Sequence, residues 1–170
     1  MPKEKKKKAV KVELIDRNIS PACYEIADGL IAAHHTHLLE AKIAFAWHDG
    51  WNEDPDGRVR LGQAKKGSDL DRELHPYDFI ILLNRAALTA ANFTRKQMTA
   101  LIDHELCHCQ VKLHPDGEVA VDDRGRIVYR MRKHDIEEFS EVVKRHGLYT
   151  GDLEHFADQC MKAAEEPLLA

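Results

Sequence analysis

No apolar run in this sequence approaches the length of a bilayer-spanning helix, which argues against a membrane protein. A secretory signal is missing too. The basic opening, with lysines from Lys3 to Lys8, is not followed by an apolar stretch and a small-residue cleavage site. A cytoplasmic protein with no membrane partner is therefore expected. Cysteine is sparse: Cys23, Cys107, Cys109 and Cys160 are too few and too scattered for a disulfide framework, and they read as buried or half-buried thiols. Cys107 and Cys109 lie two apart on an expected helix, on different faces, and should not bridge each other. Excess positive charge is also missing. A net charge of −4 argues against nucleic-acid binding by bulk electrostatics, so nucleic acid is not a favoured partner. The Lys3–Lys8 cluster is the local exception and reads as a solvated tail.

What is present suits one compact domain. At 170 residues and 44% hydrophobic content the chain can build a core, and 32% charged residues can solvate its surface. Residues 1–18 read as a basic, disordered tail passing into an irregular or extended entry, and 19–170 as a single domain. Ser20-Pro21 begins a helix that runs through Ile26, Leu30, Ala33 and Leu38 to about Lys42, with His34, His35 and His37 exposed on it. Lys42 to His48 reads as a strand, Asp54-Pro55-Asp56-Gly57 as a turn, Val59 to Ala64 as a returning strand, and Lys65 to Ser68 as loop. Tyr77 to Asn84 is the strongest strand, apolar and β-branched at its centre. The expected class is α+β, a small mixed sheet packed on helices.

Eleven histidines are unusual, and the question is which of them converge. Thr94 with Gln97 fits a capping box, and Met98, Ile102, Leu106, Cys109 and Leu113 then recur at helical spacing. His104 and His108 fall on a face of their own. His104-Glu105-Leu106-Cys107-His108 matches H-E-x-x-H: two histidines four apart can place ring nitrogens about 2 Å from one zinc ion. Glu105 then lies beside a metal-activated water and can take its proton as general base. His114-Pro115 ends the helix. Val119, Val121, Ile127 and Tyr129 flank a turn at Asp122 to Gly125, and Ile136, Phe139, Val142 and Val143 mark a helix stopping at Gly147. A last helix covers Leu153 to Ala164. Catalytic zinc needs a third protein ligand. His134, at the expected start of the helix after the hairpin, is the first choice, with Glu138 and Asp135 as alternatives. Asp103 or Glu137 could accept a hydrogen bond from a ligand histidine, and Tyr129, His146 and Tyr149 are candidate oxyanion donors.

The motif at 104–108, followed by His134 and then Glu138-Phe139, resembles the SprT/Spartan type of zincin, whose third histidine precedes a phenylalanine. There the step is four residues. Here His134 to Phe139 is five, which puts Asp135 at the equivalent position. Tyr77-Asp78-Phe79, Asp103 through Cys109, His134-Asp135 and Arg145-His146-Gly147 more closely resemble the phage metallopeptidase family, over about residues 40 to 147. That resemblance implies a minimal zincin fold, a zinc cofactor and a peptide or protein substrate. Such enzymes bind an extended peptide along a sheet edge, and the Tyr77–Asn84 and Lys42–His48 strands are the candidate edges. Two rivals stand beside this reading: a DNA-associated SprT-like protease anchored by Lys3 to Lys8, and a non-catalytic protein with structural zinc or a binding role.

Overall fold

A computed structural model describes residues 11–165, so the expectation of a lysine-rich tail at Lys3–Lys8 lies outside the described residues. The chain divides into two compact units, one ending at Arg132 and one beginning at Lys133.

In the first unit, β1 (Lys11–Leu14), β2 (Ile43–Asp49), β3 (Gly62–Lys66) and β4 (Phe79–Leu83) form one sheet in the order β1-β2-β4-β3. β2 and β4 run parallel, while β1 pairs antiparallel with β2 and β3 antiparallel with β4. The sheet is mixed, and the fold is α+β as expected. The parallel pair is central and correspondingly apolar: Ala44, Phe45 and Ala46 of β2 and Phe79, Ile81, Leu82 and Leu83 of β4 are all buried. Phe45 lies opposite Ile81, and Ile81 opposite Ala64. These residues join one core cluster with Ile102 and Leu106. Both strands nominated as substrate-binding edges are therefore interior strands. The edges are β1 and β3, an order fixed by long-range pairing that strand hydrophobicity does not report.

The extended entry expected before residue 19 is a paired strand at Lys11–Leu14, and Ile15 behind it is buried. The Tyr24 hydroxyl donates to the Ile15 carbonyl at 2.8 Å and accepts from the Phe45 N–H at 3.2 Å, fastening α1 (Ala22–His34) to β1 and β2. The helix stops at His34, not near Lys42. His35 leaves helical geometry (φ −124, ψ 45), and a 3-10 turn at Thr36–Leu38 carries Leu38 into the core. His35, expected to be exposed, is 6% exposed. Two short helices, α2 (Asp69–Leu74) and α3 (Arg85–Ala90), start on side-chain caps at Ser68 and Asn84. Lys65 and Lys66, expected in a loop, belong to β3.

The helix α4 (Arg95–Cys107) opens on the expected capping box. The Gln97 N–H donates to Thr94 Oγ1 at 3.2 Å, and the Thr94 N–H donates to Gln97 Oε1 at 2.9 Å. It ends earlier than its stripe suggests. His108 is the C-cap, and Cys109–Val111 is β5, paired antiparallel with β6 (Tyr129–Met131). Cys109 continues the apolar side from a strand, and Leu113 is 53% exposed. The turn at Asp122 to Gly125 is present, bracketed by a Val121–Ile127 bridge.

In the second unit, α5 (Ser140–His146) ends at Gly147 (φ 74), as expected, and α6 (Gly151–Glu165) follows. His134 does not begin a helix. The stretch before Ser140 is non-helical, and the extended backbone of Phe139 (φ −88, ψ 130) makes it the N-cap. Among the described residues, no helix is long and apolar enough to cross a membrane.

Candidate metal centre

The last turn of α4 brings His104 and His108 together. Their ring centroids are 5.1 Å apart with planes at 83°, and each offers a nitrogen within 4.8 Å of the other's. His108 Nδ1 lies 2.7 Å from the Arg132 carbonyl oxygen. A carbonyl only accepts, so Nδ1 is the donor here and Nε2 is the nitrogen left to ligate a metal. The Arg132 N–H returns a bond to the His108 carbonyl at 2.8 Å, so backbone and ring are both pinned to the end of β6. Burial first, and the neighbouring His108 second, hold His104 below the ordinary histidine pKa, which favours the neutral ring a metal needs.

Glu105 is 3% exposed, an expensive place for a carboxylate unless it is bonded. Its Oε2 accepts the Ala64 N–H of edge strand β3 at 2.7 Å. A Cβ at Gly62 would stand 2.7 Å from Glu105 Oε1, so the strand closes over the carboxylate only because residue 62 has no side chain. The sequence reading missed Gly62 and Ala64. The available signal was a glycine inside a strand, which marks close approach of another group.

Cys109 is fully buried, and its thiol is pushed up to about 12, by burial first and the Glu105 charge second. It stays protonated beside the pair. Asp103, nominated as an acceptor for a ligand histidine, instead meets His35 Nε2 at 2.6 Å. Tyr129 is buried against Phe79, with centroids 5.1 Å apart; it is a core side chain rather than an exposed oxyanion donor. In the second unit, His134 and Asp135 lie in the non-helical opening stretch. The Glu138 carboxylate accepts the Tyr149 hydroxyl and the Phe139 N–H, and these two bonds, Tyr149 first, lower its pKa.

The site thus brings together two imidazoles four residues apart and, between them in sequence, a buried carboxylate, a donor set that suits zinc. No curated protein and no solved structure matches the chain. A family model does match, over residues 15–164, a span that takes in α4, β3 and nearly all of α6, and the chain belongs to the family it describes, the putative phage metallopeptidases.

Proposed function

We propose that the protein is a zinc-dependent metalloendopeptidase of the H-E-x-x-H type, SprT-like in its order of ligands. The observation that supports this best is the pairing of His104 with His108 beside Glu105, whose carboxylate is held by a sheet-edge N–H. Bound zinc would polarise the scissile carbonyl and lower the pKa of a water at the site. Glu105 accepts the proton of the attacking water and passes it to the leaving amine. His104 and His108 would hold the ion, with His108 oriented through Arg132. The outer strand β3 offers the extended peptide a main-chain partner, which replaces the two interior strands first nominated.

His134 is the proposed third ligand. It follows Arg132 by two residues, a span of at most roughly 7 Å, and the Arg132 carbonyl is already on His108. Glu138, the alternative, has its oxygens engaged by Tyr149 and Phe139. Asp135 remains the alternative that the SprT spacing suggests.

The test is zinc content measured beside hydrolysis of an unfolded substrate such as casein. Glu105→Gln is expected to keep zinc and fold while losing hydrolysis. His104→Ala, His108→Ala and His134→Ala are each expected to lose the zinc held by the His104–His108 pair, and Glu138→Ala to keep it. If Glu105→Gln hydrolyses as fast as the parent, the mechanism is wrong. If Asp135→Ala or Glu138→Ala loses zinc while His134→Ala retains it, the third ligand is reassigned.

A further inference from the structure

Helix α4 carries a second pair of potential ligands beside the first. Asp103 and Cys107 stand four apart, as His104 and His108 do, one position back and about 100° around the helix. Opposite them is His35, at the break that ends α1. The three residues each offer one ligand atom, all within 4.8 Å of one another. We propose that His35, Asp103 and Cys107 form a second metal site, one that takes a thiophilic divalent cation such as zinc through a thiolate, a carboxylate and an imidazole. It shares no ligand with the histidine pair and does not depend on the peptidase reading.

The donor chemistry is complementary. A thiolate, a carboxylate and a neutral imidazole carry two negative charges, which a divalent ion neutralises, and the thiolate selects for zinc or cadmium over magnesium or calcium. The histidine is built in. His35 is 6% exposed, and its N–H donates to the carbonyls of Leu30 and Ile31, both at 3.2 Å, so the fold sets its position. The other two ligands leave a way in, since Cys107 is exposed and the Asp103 side chain is 41% exposed. In a tetrahedral site, bonds of 2.0–2.3 Å put ligand atoms about 3.3–3.8 Å apart. The 2.6 Å contact between His35 and Asp103 would therefore open by roughly 1 Å. Asp103, the more exposed partner, has room to make that movement. The competing view is that His35 and Asp103 merely clamp α1 to α4.

The experiment titrates reduced, metal-free full-length protein with cobalt(II), and separately with cadmium(II). Metal bound per chain, the thiolate-to-metal charge-transfer band and the rate of iodoacetamide alkylation are all followed. Parent protein is expected to bind two equivalents, one of them with the thiolate band, and metal should slow alkylation of Cys107 by roughly tenfold or more. Cys107→Ser should lose the band and keep one equivalent. Asp103→Asn, which can still hydrogen-bond His35, should weaken the band-forming site by about 10–100-fold, a change the clamp view does not produce. His104→Ala with His108→Ala should lose the other equivalent and keep the band, so the two sites fail separately. A band that is absent in the parent, or that survives in Cys107→Ser, overturns the proposal, as does full-strength binding in Asp103→Asn.

Discussion

Gly62 faces Glu105, the proposed general base. A methyl group there would stand 2.7 Å from Glu105 Oε1, and the carboxylate, 3% exposed, has little room to withdraw. Gly62→Ala is therefore expected to retain zinc and a folded core while hydrolysis falls by roughly 10–100-fold, the scale set by a misplaced catalytic group. Steady-state kinetics beside metal analysis checks this, and an unchanged kcat would show that Glu105 is not held where the reaction needs it. Ile102, fully buried beneath the same turn, is a stability residue. Ile102→Ala should cost about 2–5 kcal/mol in urea unfolding. A loss under 1 kcal/mol would mean that α4 is not seated on the core as described.

Among the elements, α4 is both the best and the worst predicted. Its start was legible because Thr94 and Gln97 form a local signal, and Thr94→Ala should destabilise the fold by about 0.5–2 kcal/mol in denaturant titration. Its end was not legible. No glycine or proline marks Cys107, and the chain leaves the helix because Cys109 pairs with Met131, a partner that periodicity cannot see. The same limit hid the sheet order, the six-residue helices α2 and α3, and the inward turn of His35, whereas β2, β4 and the Asp122–Gly125 turn announce themselves locally. That turn makes its own prediction. Asp122 is held at about 2, chiefly by the Arg126 N–H and then by the Arg126 side chain and the Arg124 N–H. Its folded pKa lies below the unfolded value of about 3.9, so its contribution to stability is complete above that pH. The contribution is lost as pH falls through about 2. A carboxyl NMR titration should place the Asp122 midpoint there; a midpoint near 4 would remove the turn's role in acid stability.

At the scale of the whole molecule, helix α4 is tied to distant parts of the chain. Glu105 reaches Ala64 across 41 residues, and His108 reaches Arg132 across 24. Contacts of that separation close large loops and are slow to assemble. A cation that needs His108 in its Arg132-bound orientation therefore finds its ligands arranged only after α4 and the end of β6 have met. Zinc at 100 times its dissociation constant would add about 2.7 kcal/mol to stability. If the site forms after the folding transition state, nearly all of that appears in the unfolding rate. Stopped-flow measurements with zinc and with a chelator should give equal refolding rates and unfolding roughly 100-fold slower when zinc is present. Equal unfolding rates would show that the ion is held by α4 before its neighbours arrive. The bond between the His108 ring and the Arg132 carbonyl would thus make a bound metal a kinetic latch, one that does not hasten folding but delays escape once the chain has closed.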